Sequence, residues 1–324
     1  MQSFEFARPA NREQAVRLLA AGRSTPLAGG SDLLGLMKDG VEVPARVVSL
    51  QALADLRGIR ADAQGLRVGA LATIDELARD AAVRREHPIL AQAAEHVASP
   101  QIRHVATIAG NLCQRPRCWY FRNGYGLLPV RDGKSMVLEG DNRYHAILGN
   151  DGPAYFVHPS TLAPLLVALG AQVTLFGPGG ERRVALERFY RVPQREGERE
   201  HDLQSGEIVT EVTVPPGAGR RLYSYEVRQR MTLDWSLATA AVVLDMDGGR
   251  VRDARVVLGQ VAPTPWVAKE AQDFLRGKAI DEGTAEKAGE AAVQGAKALS
   301  RNRYKIQLAR VAVKRALLQA AKET

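Results

Sequence analysis

Apolar residues recur at helical spacing in Ala10–Ala21, where Ala15, Val16, Leu18 and Leu19 follow Asn11 as a plausible cap with Glu13 close behind. Short β-branched runs come next, at Ala45–Leu50 (ARVVSL) and Gly65–Ala70 (GLRVGA), and Thr73 opens a helix with Glu76 at capping-box spacing. The pattern predicts a further helix over Ile89–Val97, ended by Ser99 and Pro100. Helical spacing returns at Thr161–Leu169, with a strand at Gln172–Phe176 and an alternating strand at Glu207–Val214. Between them, residues 113–150 show mixed polarity, several glycines and no sustained period, which predicts a long surface excursion, a feature that in a compact domain usually signals function.

Pro215, Pro216, Gly217 and Gly219 then break the chain, and the domain boundary is expected there. Strands are predicted beyond it at Leu222–Val227, Ala238–Asp245 and Val251–Leu258, with helices within Glu270–Leu275, Glu282–Leu299 and Lys305–Ala321. The reading is an α+β chain. Residues 1–218 form a first domain of two α/β subdomains, about 1–57 and 58–218, and residues 219–324 a smaller α+β domain with a three-stranded sheet and helices.

Composition narrows the function classes. The 44 Lys and Arg residues are interleaved with 36 Asp and Glu, so the net charge of +8 reads as a solvated or acidic-partner face and not as a nucleic-acid surface. No run of about 18 apolar residues exists to span a bilayer. Met1–Arg12 carries charges and no apolar signal core, which predicts a cytoplasmic protein unless a signal-bearing partner carries it out. Only Cys113 and Cys118 are present, too few for a four-cysteine metal site.

The strongest local signal is Leu27-Ala28-Gly29-Gly30-Ser31-Asp32-Leu33. Adjacent glycines allow close approach and positive φ, so such a turn can aim several amides at one anion; it is also an ordinary turn that caps a following helix. Neither a Walker A loop nor G-x-G-x-x-G occurs. A second turn, Thr107-Ile108-Ala109-Gly110-Asn111, arrives after two α/β units, and two such turns could clasp a long dinucleotide. The six histidines are scattered and form no metalloprotease motif, and no catalytic triad can be argued. His104 and His158 read as turn or packing residues.

The strings AGGSDLLGLMK (28–38), VGALATIDEL (68–77), ASPQIRHVATIAGNL (98–112) and HPSTLAPLLVALGAQVTL (158–175), in this order, resemble the FAD subunit of the xanthine dehydrogenase and carbon monoxide dehydrogenase family. SGEIVTEVTVP and YEVRQRMTLDWSLATAAVVL extend the resemblance over essentially the whole chain, and NLCQRPRCWYFR with NRYHAILG is similar to its aldehyde oxidoreductase branch. The resemblance implies a two-subdomain FAD-binding domain of the PCMH type. It implies that Leu27, Ala28, Gly29, Gly30, Ser31, Asp32 and Leu33 wrap the FAD pyrophosphate, that Thr107, Ala109, Gly110 and Asn111 supply the second turn, and that Ile208 and Val209 pack on the isoalloxazine edge.

Three departures accompany it. Thr161 stands where most relatives have an aspartate for flavin hydroxyls, and Glu226 where a lysine is expected. Aldehyde oxidoreductase relatives carry a four-cysteine iron–sulfur cluster in the excursion, whereas only Cys118 occupies a matching place, so no cluster is expected and both cysteines read as free thiols. Trp119, Tyr120, Phe121 and Arg122 read as a packing element or a partner contact. The implied role is electron output from a molybdenum hydroxylase: a large molybdenum–pterin subunit hydroxylates substrate, a small 2Fe–2S subunit relays electrons, and FAD in this chain passes them to an external acceptor. Two alternatives stay open, a stand-alone flavin oxidase and a flavin-less assembly scaffold.

Overall fold

The computed structural model describes residues 1–217, 219–230 and 233–322, so the expected boundary residue Ala218 lies outside the described residues. In chain order the strands are β1 (Glu5–Ala7), β2 (Ser24–Leu27), β3 (Arg46–Ser49), β4 (Ile59–Asp62), β5 (Gly65–Gly69), β6 (Val130–Arg131), β7 (Lys134–Ser135), β8 (Gln172–Gly177), β9 (Gly180–Ala185), β10 (Ile208–Val214), β11 (Arg220–Arg228), β12 (Ser236–Asp247), β13 (Arg250–Gly259) and β14 (Trp266–Val267). No helix among the described residues is long and apolar enough to cross a membrane.

The first layer is a parallel sheet in the order β1-β3-β2. Helix Arg12–Ala20 covers it, with the Asn11 side chain accepting from the Gln14 amide at 2.9 Å as an N-cap, and Ala15, Val16 and Leu19 join Val48 and Leu50 in a core. Strands β1 and β2 escape the sequence pattern for a physical reason. They are three and four residues long, and β2 contains Pro26, which lowers any strand expectation.

A five-stranded antiparallel sheet follows, ordered β4-β5-β10-β8-β9. The capping box at Thr73 is formed as expected, with Thr73 N donating to Glu76 Oε2 at 2.7 Å and Glu76 N donating to Thr73 Oγ1 at 3.1 Å. The register of β10 shifts between Val209 and Glu211, a bulge that puts Ile208 in the first core while Val209, Val212 and Val214 join the second. One strand therefore ties two cores together.

The last sheet runs β11-β12-β13-β14, three long strands with the two-residue β14 added at the edge. Along β12, Ala241 and Val243 join the core built on helix Leu162–Ala168, whereas Ala238, Ala240, Val242 and Leu244 join that of helix Tyr304–Ala320. Both faces are thus buried. The helix expected over Glu282–Leu299 stops at Ala292; the chain then turns so that Lys297 N donates to Ile147 O at 2.7 Å.

The expectation of a surface excursion over 113–150 needs correction. The segment holds helices Trp119–Arg122 and Met136–Glu139 and the β6–β7 hairpin, and it buries Phe121, Leu127 and Val137. Its end enters the C-terminal core through Ile147 and Leu148. Elements of two to four residues are too short to show a period, which is why the pattern failed here.

Candidate nucleotide site

The two glycine turns meet in space. A side chain at Gly29 would place its Cβ 1.8 Å from the Val105 carbonyl oxygen, so only glycine lets the first turn reach the strand of chain leading into the second. Gly30 adopts φ +74°, a left-handed conformation that then releases helix Leu33–Lys38. Between the turns lies a cleft of about 430 Å³, within the range of small-molecule sites, lined by Leu27 through Leu33, Thr107, Ala109, Gly110, Ile208 and Val209.

Donor capacity is unevenly distributed. In the second turn, Ile108 N donates to Ala72 O at 2.9 Å, Ala109 N to Ala70 O at 3.2 Å and Gly110 N to Thr107 Oγ1 at 3.1 Å, so the fold itself consumes those amides. In the first turn, the amides of Gly29, Gly30, Ser31 and Asp32 have no acceptor among the described residues. Four successive free amides beside a cleft are an anion-binding cradle. The Thr107 hydroxyl accepts from Gly110 and keeps its own proton available.

Asp32 does something the sequence did not predict. Its carboxylate accepts from Arg115 N at 2.8 Å and Arg122 Nη2 at 2.8 Å and pairs with Arg117 Nη2 at 3.0 Å, so it faces the excursion and makes no helix cap. Arg115 in turn bridges Glu42 and Glu200. These arginines lie 83 to 90 residues from Asp32, and no local pattern announces such pairs.

Asn111, Thr161 and Glu226 do not line the cleft. Asn111 Oδ1 accepts from Ser160 Oγ at 2.6 Å, which fastens the second turn to the segment that starts helix Leu162–Ala168. Thr161 Oγ1, next in sequence, is buried with no partner among the described residues. Glu226 is instead paired with Arg228 at 2.8 Å and accepts from Ser236 Oγ, beside a separate groove lined by His96 and Tyr223.

Cys113 and His201, both in the lining of the cleft, are held in their uncharged forms. Burial pushes the Cys113 thiol up to about 12 and the His201 imidazole down to about 4. Behind them His158 lies 4.3 Å from Tyr190, its pKa lowered to about 3 by burial and then by His201, and His145 in the excursion is lowered to about 4 by burial. Cys118 Sγ lies 3.2 Å from His145 Nε2, and Trp119 meets Tyr144 edge-on at 5.5 Å, so the aromatic group packs the excursion.

A pH dependence follows. Folded-state values below the ordinary 6.5 mean that these histidines contribute stability above pH 6.5 that is lost as pH falls toward 4. Three such groups should remove about 3 kcal/mol between pH 6.5 and 5.5. Melting temperatures measured across that interval should fall steeply, and His158→Phe should reduce the slope by about a third; a flat profile would contradict neutral burial.

The cradle and the available Thr107 proton suit the diphosphate of a flavin dinucleotide. Comparison with known proteins agrees. Residues 2–217 match the family described as the FAD binding domain in molybdopterin dehydrogenase, and residues 223–320 match the CO dehydrogenase flavoprotein C-terminal domain. The chain is 37% identical over 243 residues to the aldehyde oxidoreductase FAD-binding subunit PaoB of Escherichia coli K12, covering 74% of this chain and 75% of that one. It is 32% identical to the carbon monoxide dehydrogenase medium chain of Afipia carboxidovorans, covering 88% and 84%. Among solved structures, a chain of reconstituted CO dehydrogenase from Oligotropha carboxidovorans superposes with TM-score 0.79 at 28% identity, covering 100% of this chain and 99% of that one. Two cores bound by β10, a cradle of free amides and these matches along the whole chain lead to one conclusion: it belongs to the family of FAD-binding medium subunits of xanthine dehydrogenase and carbon monoxide dehydrogenase type.

Proposed function

We propose that this chain is the electron-output subunit of a heterotrimeric molybdenum hydroxylase acting on an aldehyde or xanthine-like substrate. The observation that carries the reading is the cleft that gathers the unengaged amides of Gly29–Asp32, the Thr107 hydroxyl and the buried pair Ile208 and Val209. The amides would hold the FAD diphosphate, Thr107 would donate beside them, and the apolar side chains of Ile208 and Val209 would exclude water from the bound flavin. Bound FAD would supply the redox chemistry of electron passage from iron–sulfur centres to an external acceptor. The first domain, residues 1–218, carries the cofactor, and residues 219–324 pack against the core of that domain. A large molybdenum–pterin subunit and a small 2Fe–2S subunit complete the complex, which we place in the cytoplasm; several relatives are named as medium or FAD-binding subunits, which supports this partner set.

Two measurements test the reading. Purified chain reconstituted with FAD should be yellow with about one flavin per chain, and colourless protein would favour the scaffold alternative. Co-expression with its genomic neighbours should copurify polypeptides containing molybdenum and 2Fe–2S centres. A chain that purifies alone and oxidises a substrate unaided would overturn the assignment in favour of a self-sufficient flavin oxidase.

A further inference from the structure

Asp32 sits inside the phosphate-cradling turn, yet a carboxylate there repels a diphosphate. The structure resolves this by turning it away. One carboxylate oxygen accepts from the Arg115 backbone amide at 2.8 Å, and the other accepts from Arg122 at 2.8 Å and pairs with Arg117 at 3.0 Å. Asp32 and Arg122 are largely enclosed, with side chains 16% and 17% exposed, so these charge-assisted bonds are shielded from solvent competition. Arg122 is itself a clasp. Its guanidinium donates to Pro116 O at 2.8 Å and to Arg115 O at 2.9 Å while holding Asp32, which folds residues 115–117 back on themselves. Cys113, Gln114 and Arg115, just before this fold, line the cleft.

We infer that Asp32 is the anchor of a strap: the start of the excursion is latched onto the phosphate-binding turn by the Asp32–Arg122 clasp, and seating of the strap is coupled to occupation of the cleft by FAD. The inference rests on the proposal that this cleft holds FAD and adds a positioning residue to it. The Asp32 carboxylate, as distinct from its amide, acts through Arg115, Arg117 and Arg122, which fix the wall that residues 113–115 give the cleft. Coupling of this kind is reciprocal. A latched strap tightens FAD, and FAD must to the same degree keep the strap latched.

The test uses the full chain and two readouts, FAD affinity by flavin fluorescence and the rate of trypsin cleavage after Arg117 and Arg122. In the unaltered protein FAD should slow that cleavage about tenfold or more. Asp32→Asn should weaken FAD about tenfold and abolish the protection. Arg122→Gln, read at Arg117, should do the same, and the double variant should be no worse than either single one because both cut one latch. Circular dichroism identifies a variant that fails to fold, in which case the other carries the test. Unchanged or tighter FAD binding by Asp32→Asn would overturn the inference, as would weaker binding with protection retained, which would make Asp32 a direct ligand. Failure of the unaltered chain to bind FAD would instead sink the proposed function.

Discussion

Gly29→Ala is expected to give a protein that cannot retain FAD. The added Cβ would lie 1.8 Å from the Val105 carbonyl oxygen, 2.7 Å from its carbon and 3.2 Å from Ala106 Cα, all of them backbone atoms that no rotamer change can move. The two turns must part, and the cleft between them loses its shape. Overpacking of this severity destabilises by about 3 kcal/mol, and FAD affinity should fall at least about a hundredfold, since near-attack spacing of the free amides depends on the same contact. Equilibrium dialysis with FAD and a thermal melt measure the two effects. Gly35→Ala is the matched control. Its Cβ would meet nothing within 4 Å on the exposed side of helix Leu33–Lys38, so it should bind FAD normally and gain about 0.5–1 kcal/mol from helix propensity. Equal behaviour of the two variants would refute the close-approach argument.

Lys305→Met should be the most damaging change in the C-terminal half. Lys305 is 1% exposed and its ammonium donates to Tyr144 O at 3.1 Å, His145 O at 3.1 Å and Gln260 O at 2.7 Å, stapling the end of the excursion to the β13 exit. It occupies the first turn of helix Tyr304–Ala320, where the helix dipole disfavours a cation, and burial lowers its pKa to about 7. Methionine fills the same space without donors. His145 O keeps a bond from Asn302 at 3.1 Å, but Tyr144 O and Gln260 O lose their partner among the described residues. Each orphaned buried carbonyl costs about 1–3 kcal/mol, which gives a loss of about 3 kcal/mol. A lowered denaturation midpoint with unchanged denaturant slope would register it. Lys297→Met, at a lysine paired with Asp151 where both side chains are 69% and 74% exposed, should stay within about 0.5 kcal/mol of the parent.

What was legible in the sequence had a local cause. Asn11 and Thr73 cap their helices as read, because a cap is a contact three residues long. The turns at 27–33 and 107–111 were found from their glycines, and the structure brings them together at one cleft. Asp32 was placed in the turn, but its carboxylate's arginine partners went unseen, since they come from a segment with no readable period. Thr161 and Glu226 came from family resemblance alone, and Asn111 from the second turn as well. Of these, Asn111 and Thr161 lie in a polar group behind the cleft, and Glu226 is turned toward Arg228. The short parallel strands β1 and β2 were missed because their pairing is with residues some 20 to 40 positions away, which periodicity does not register.

Strand β12 gives alternate side chains to two cores, so the C-terminal sheet is simultaneously a wall of the flavin half and the floor of its own helices. The two halves therefore share one packed core. Cutting it near residue 218 would bare Ala241, Val243 and Val257 to water and should yield two insoluble fragments, not two working modules.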